Sequence, residues 1–256
     1  MANSLSYNAV DMGDYSLVVN STGASPYSQM VSRIQLQDKG YSFRPQRVPR
    51  QIMVRFTVTG TSRSNLDSNL DNIKRNLTKL SPQQLIFDAL STRYYLAILE
   101  SFEGTYVQQA VFRGSMRFIC PDPVAYSTTE NTVTQNVDAN PKTLYIPTDA
   151  ASVVGGSAFL LPAFVLTAGE TLNAVTLLLK NETTIEEISI SSLTMVDTDI
   201  LTIDSSLWTV TLEAAAHMSN VTGKFPRLEP NLRNQFTVTA FGTLGTLSVI
   251  YREAYL

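Results

Sequence analysis

The sequence predicts a mainly β protein: an α+β first half with one main helix, followed by a β-sandwich. Three patterns carry this reading. Strict period-2 alternation runs through residues 51–60, a single helical stripe follows at residues 66–80, and the second half breaks into roughly eight short apolar runs between turn residues.

Within Gln51–Gly60, Ile52, Val54, Phe56 and Val58 share one face while Gln51, Arg55, Thr57 and Thr59 share the other, as in a half-buried strand. The period then changes. Leu66, Leu70, Ile73, Leu77 and Leu80 recur at alternating spacings of four and three, predicting a surface helix with one buried stripe. Ser62 or Ser64 can cap its start, acidic Asp67 and Asp71 lie early, Lys74, Arg75 and Lys79 lie late, and Pro82 blocks continuation. Strands resume at Gln84–Phe87, Arg93–Glu100 and Val111–Ile119.

In the second half the runs include Leu160–Leu166, Ala174–Leu179, Glu186–Ile190, Leu201–Ile203, Trp208–Leu212, Gln235–Ala240 and Thr246–Tyr251, a spacing that suggests a sandwich. Only Glu213–Met218 looks locally helical. A boundary is expected at Cys120-Pro-Asp-Pro-Val-Ala-Tyr126, where two prolines force extended backbone and remove ladder donors. Charge divides at the same place: residues 1–125 carry 13 Lys/Arg against 9 Asp/Glu, whereas residues 126–256 carry 6 against 13. The expected division is therefore 1–126 and 127–256.

The chain has 256 residues, 44% hydrophobic, enough for one large core or two ordinary ones, and this excludes a disordered chain. Charged residues make up only 16%, against about 25% in typical soluble proteins. A neutral, Ser/Thr-rich surface suits a component covered by neighbours. The longest uncharged stretches, 150–169 and 234–251, contain Gly155-Gly156 and Pro162 or interleaved Gln235, Thr237, Thr239, Gly242 and Gly245, and neither suits a membrane helix. The opening residues lack the basic and apolar regions of a secretory leader, and one cysteine, Cys120, forms no intrachain disulfide. Folding in a reducing cytoplasm is the expectation.

The residues offer little for catalysis. His217, the sole histidine, sits in Ala214-Ala-Ala-His-Met-Ser219, which matches no nucleophile motif and reads as a surface or capping residue. Cys120 reads as a small buried thiol. Asp197, Asp199 and Asp204 lack the glycine and distal glutamate of a calcium loop and read as turn residues. Glu186-Glu187 would face opposite sides of a strand and reads as solvent-facing. No phosphate loop is present, so no catalytic residue, cofactor or metal is expected.

Arg44, Arg47, Arg50 and Arg55 form the densest basic cluster, with Phe43 and Phe56 nearby. The acidic sequence pI of about 5.2 weighs against specific nucleic-acid binding. The cluster reads instead as a candidate oligomer interface. Trp208 alternates in phase with Val210 and Leu212, which makes a core tryptophan the favoured reading over a sugar platform.

The order of these features resembles the distal tail proteins (Dit) of long-tailed siphophages. The resemblance spans nearly the whole chain. It rests on the strand at 50–60 leading into the helix, on Arg113-Gly-Ser-Met-Arg-Phe-Ile-Cys-Pro-Asp-Pro-Val-Ala-Tyr126 as an F-x-C/A-x-D-P-x-x-Y ending, and on Asp199-Ile-Leu-Thr-Ile-Asp204 followed by Leu207-Trp-Thr-Val-Thr-Leu212. Phe225-Pro-Arg-Leu-Glu-Pro-Asn-Leu-Arg-Asn234 is similar to an F-P-x-L-x-P-G-x-N turn. Asn231 stands there in place of glycine, and asparagine tolerates a left-handed backbone. Leu247-Ser-Val-Ile-Tyr-Arg-Glu-Ala-Tyr255 resembles the last strand.

The resemblance implies a ring-forming first domain and a galectin-like β-sandwich second domain. It also implies a homohexameric structural virion protein at the distal end of the tail, assembled in the host cytoplasm. Its implied partners are the tail tube protein, the end of the tape measure protein, and a hub, fibre or receptor-binding protein. The activity would be mechanical, with no enzyme site and no membrane insertion. The alternative is a carbohydrate- or receptor-binding sandwich module.

Overall fold

The computed structural model describes residues 3–24, 29–30, 33–36, 39–42, 46–239 and 245–256, with side chains described at 3–23, 48–239 and 245–256. Two compact units are present: Met1–Thr128 with Leu256, and Thr129–Tyr255.

The first unit is an antiparallel sheet in the order Val10–Asp11, Leu5–Tyr7, Gln83–Phe87, Arg93–Gln108, Val111–Cys120, Arg50–Thr59 and Leu17–Ala24, with Ala125–Ser127 also pairing with Arg93–Gln108. The long strand Arg93–Gln108 serves two sets of neighbours. Its start pairs with Gln83–Phe87, and beyond Ile98 it pairs with Val111–Cys120, with a bulge between Leu99 and Ser101 that bends it. The N–H of Val19 donates to the carbonyl of Asn3 (2.8 Å), bringing the last strand of this order back to the chain start.

Arg50–Thr59 keeps the expected alternation, with Ile52, Val54, Phe56 and Val58 buried. Arg50 shares their parity and is buried too, its guanidinium 5.7 Å from the centre of the Tyr95 ring. Phe56 lies 5.0 Å from Phe102 and 6.1 Å from Phe112 between ring centres. The register sets Gly114 beside Phe56 and opposite Gly104, and a Cβ on Gly114 would meet the Glu103 carbonyl oxygen at 2.1 Å. Only glycine permits this close approach of strand and ring.

The helix spans Arg63–Leu77, and the Ser62 hydroxyl accepts from the Asn65 N–H (3.2 Å), which settles the cap in favour of Ser62. Leu66, Leu70, Ile73 and Leu77 are buried as expected. Leu80 is a correction: the helix stops at Thr78, whose hydroxyl donates to the Lys74 carbonyl, and Leu80 beyond it is fully exposed. At the other end the Tyr106 hydroxyl donates to Asp67 (2.7 Å), tying the tip of the long hairpin to the helix and holding the Asp67 carboxyl below its usual range.

The F-x-C-x-D-P-x-x-Y segment closes on itself. Asp122 accepts from the Val124 N–H (3.3 Å) and the Tyr126 hydroxyl. Cys120, fully buried, is pushed up to about 12 by burial. A raised thiol pKa stabilises the fold fully below the unfolded value near 9, and this contribution is lost as pH rises through that value toward 12. Cys120 should therefore resist an aromatic disulfide reagent at pH 8 in the folded protein and react stoichiometrically in denaturant. Rapid reaction without denaturant would contradict this burial.

The second unit is a sandwich of two antiparallel sheets. One has the order Asn131–Val137, Gly245–Tyr251, Ala163–Thr167, Ile200–Asp204, Thr209–Leu212 and Ala215–Ala216. The other runs Lys142–Ile146, Asn234–Thr239, Leu172–Asn181, Glu186–Met195 and Val221–Gly223. Alternate residues of both sheets face inward, and Phe164 of one meets Phe236 of the other edge-on at 5.3 Å. The mainly β expectation holds. The helical reading of Glu213–Met218 fails, because Glu213 and Ala214 take positive φ (48° and 62°) and form a two-residue turn that pairs Leu212 with Ala215. Two consecutive left-handed residues are the requirement of a tight hairpin. Among the described residues no helix is long and apolar enough to cross a membrane.

Candidate functional site

Of the basic cluster, the structure describes the side chains of Arg50 and Arg55. Arg44 and the side chain of Arg47 lie outside the described residues, Arg50 is turned into the core end of its strand, and Arg55 is exposed on the opposite face. The second-half aspartates act as turn residues. Asp199 accepts from the Val196 N–H (2.7 Å), and Asp204 accepts from the Ser206 and Leu207 N–H groups (2.8 and 3.1 Å). Among the described residues no group of three potential metal ligands forms. His217 follows the tight hairpin, its N–H donating to the Val210 carbonyl (2.8 Å).

Two readings of the second unit are corrected. Trp208 is not in the core: it is 56% exposed, and the strand begins only at Thr209. A φ of 57° at Trp208 reverses the direction in which its side chain leaves the backbone, so the alternation with Val210 and Leu212 does not extend back to it. Glu186 is 2% exposed rather than solvent-facing, while Glu187 faces outward as expected of its neighbour. Glu186 shares the parity of buried Ile188 and Ile190.

Four of the buried polar residues of this unit, Asn181, Glu186, Ser205 and Asn234, support one segment, the turn at 224–234. Asn181 donates to the Arg227 carbonyl (2.6 Å), Ser205 to the Pro226 carbonyl (2.8 Å), and Glu186 accepts from the Arg227 N–H (3.0 Å). The Asn234 side chain grips both backbone groups of Glu229, at 2.8 and 2.9 Å. Asn231 adopts φ 58° and its N–H donates to the Val154 carbonyl (2.7 Å), so asparagine fills the left-handed position expected of a glycine. Leu228 bridges to Leu160.

Burial alternates along this segment: Pro226 and Leu228 face in, while Phe225, Arg227 and Glu229 face out. On the outward side Trp208 packs edge-on against Phe225 (5.7 Å), and the Arg227 guanidinium lies 4.1 Å from the Phe159 ring centre. Glu186 Oε1 pairs with both Lys224 and Arg227 Nε, the latter at 2.9 Å. Leu207, Leu161 and Phe159 are exposed around them. The result is an aromatic ridge fixed from below by hydrogen bonds to its backbone. Its partners are far apart in sequence, and only the Phe-Pro-x-Leu motif pointed toward it.

No protein-family model matches the chain, and no characterised protein sequence does. Solved structures do match. A chain of the phage P2 baseplate in its activated conformation with Ca is similar at a TM-score of 0.54 with 10% identity, covering 99% of each chain. The crystal structure of SPP1 Dit (gp 19.1), described as a paradigm of the hub adsorption apparatus of phages that infect Gram-positive bacteria, is similar at a TM-score of 0.77 with 15% identity. That similarity covers 100% of both chains, and from end to end this chain has the fold of a phage Dit protein.

Proposed function

We propose that the protein is a structural component of a phage tail tip: a hexameric distal tail adaptor that joins the tail tube to the tip or baseplate and anchors hub or receptor-binding proteins. The observation that carries this reading is the full-length match to SPP1 Dit, which includes both units rather than one widespread sandwich. The low charged fraction agrees with a surface shared among neighbours. The work is mechanical and organisational, done in the virion at the distal end of the tail, with contacts to the tail tube and the end of the tape measure protein.

A closed ring requires two different complementary patches on each subunit, meeting head to tail. Arg44, Arg47 and Arg55 supply part of one, while Arg50 is buried in the first unit. Light scattering after size exclusion should give about 169 kDa, six times 28.2 kDa, and negative-stain images of that peak should show a ring with a central hole. Charge reversal at Arg44, Arg47 and Arg55 together should move the mass toward 28 kDa. A wild-type monomer at high concentration with and without tail tube protein would overturn the ring.

A further inference from the structure

We infer that Trp208, Phe225, Arg227 and Phe159 form a saccharide-binding site on the sandwich, taking a neutral oligosaccharide. Trp208 is 56% exposed, yet it is held in place. Asp204 pins the preceding turn through the Ser206 and Leu207 N–H groups, and Phe225 packs against the indole edge-on. The indole thus stands as a fixed, wet aromatic surface, which is how an amphipathic ring is used for recognition.

Phe225 and Arg227 point the same way two residues apart, about 7 Å along an extended backbone. Arg227 in turn covers Phe159. Aromatic surface and hydrogen-bonding groups therefore alternate along the ridge, matching a sugar chain, whose C–H faces stack on rings while its hydroxyl edges need donors and acceptors. Glu229, outward in phase with Arg227, supplies an acceptor at the far end.

Charge selects the neutral class. Lys224 and Arg227 share the single carboxylate Glu186, and Glu229 offsets the remaining positive charge, so no cationic surplus exists for an anionic polymer. Area selects a small ligand over a protein. Trp208 at 56%, Phe159 at 38%, Leu207 at 70% and Leu161 at 47% exposed offer on the order of 400 Å² together, given the usual size of large apolar side chains. A protein partner needs about 800 Å² per side.

Trp208 is the sole tryptophan of the chain, so its emission reports on this site alone. The full-length protein should be titrated with short oligosaccharides of glucose, of galactose and of N-acetylglucosamine. One series should give a saturable blue shift, insensitive to salt. Calorimetry with the same sugar should show affinity kept in Trp208→Phe but lowered about tenfold or more in Trp208→Ala and Phe225→Ala, with unchanged far-UV spectra and melting temperatures. No saturable shift with any series would overturn the assignment. So would binding only to a charged polymer and abolished by salt, or unchanged sugar affinity in Trp208→Ala. The outcome is independent of the ring mass, so either proposal can fail alone.

Discussion

Phe56→Ala should cost the first unit about 3–5 kcal/mol, a large share of the stability of a domain of this size. Phe56 is fully buried, and its ring is in contact with Phe102 and Phe112. The penalty belongs at the upper end because the cavity cannot collapse. Gly114 lies under the ring opposite Gly104, and neither has a side chain to move into the space. Nor can the cavity be refilled from below, since a Cβ at Gly114 would strike the Glu103 carbonyl oxygen at 2.1 Å. Urea unfolding followed by far-UV circular dichroism measures the loss, and Leu80→Ala is the matched control. Leu80 shares the apolar spacing of the helix stripe but is fully exposed, so its truncation should stay within about 0.5 kcal/mol of wild type. Equal shifts in the two variants would contradict the packing described here.

The contrast between these two residues marks what the sequence could convey. Local periodicity identified the Arg50–Thr59 strand, the helix and most strands of the sandwich, because each of those patterns is set by the geometry of its own segment. It failed where one residue changed the phase. Trp208 looked like a core residue until a left-handed backbone at that very position separated it from the strand behind it. The Glu213–Ala214 turn hid in an alanine-rich stretch for the same reason. Two misplacements were avoidable. Arg50 has the parity of Ile52, and Glu186 that of Ile188; their charges suggested solvent, but their positions in the alternation pointed inward. The aromatic ridge was legible only through its Phe-Pro-x-Leu motif. It joins Phe159, Trp208 and the 224–234 turn through the Leu160–Leu228 bridge and buried side chains, and these are long-range contacts.

Asn234→Ala should destabilise the second unit by about 2–4 kcal/mol, because the substitution strands more than one buried polar group. The Asn234 amide is fully buried. Its oxygen accepts from the Glu229 N–H (2.8 Å) and from Asn181 (3.3 Å), and its nitrogen donates to the Glu229 carbonyl (2.9 Å). Alanine leaves the Glu229 N–H without its acceptor and the Glu229 carbonyl without its donor. Asn234→Asp separates the two losses. A carboxylate still accepts from the Glu229 N–H but faces the Glu229 carbonyl oxygen with no hydrogen to give, whereas the protonated acid donates as the amide does. Burial and that opposing oxygen raise the folded-state pKa of the new carboxyl above its unfolded value. Its stabilising contribution is then fully present below the unfolded value near 4 and is lost as pH rises through the folded one. Thermal melts of Asn234→Asp should approach wild type near pH 4 and fall toward Asn234→Ala near neutrality, with wild type measured in parallel to remove the protein's own pH dependence. The same gap from wild type at both pH values would mean that Asn234 does not hold the turn through its donor. A melting temperature of Asn234→Ala equal to wild type would mean that the turn carrying Phe225 and Arg227 is positioned by Asn181, Glu186 and Ser205 alone.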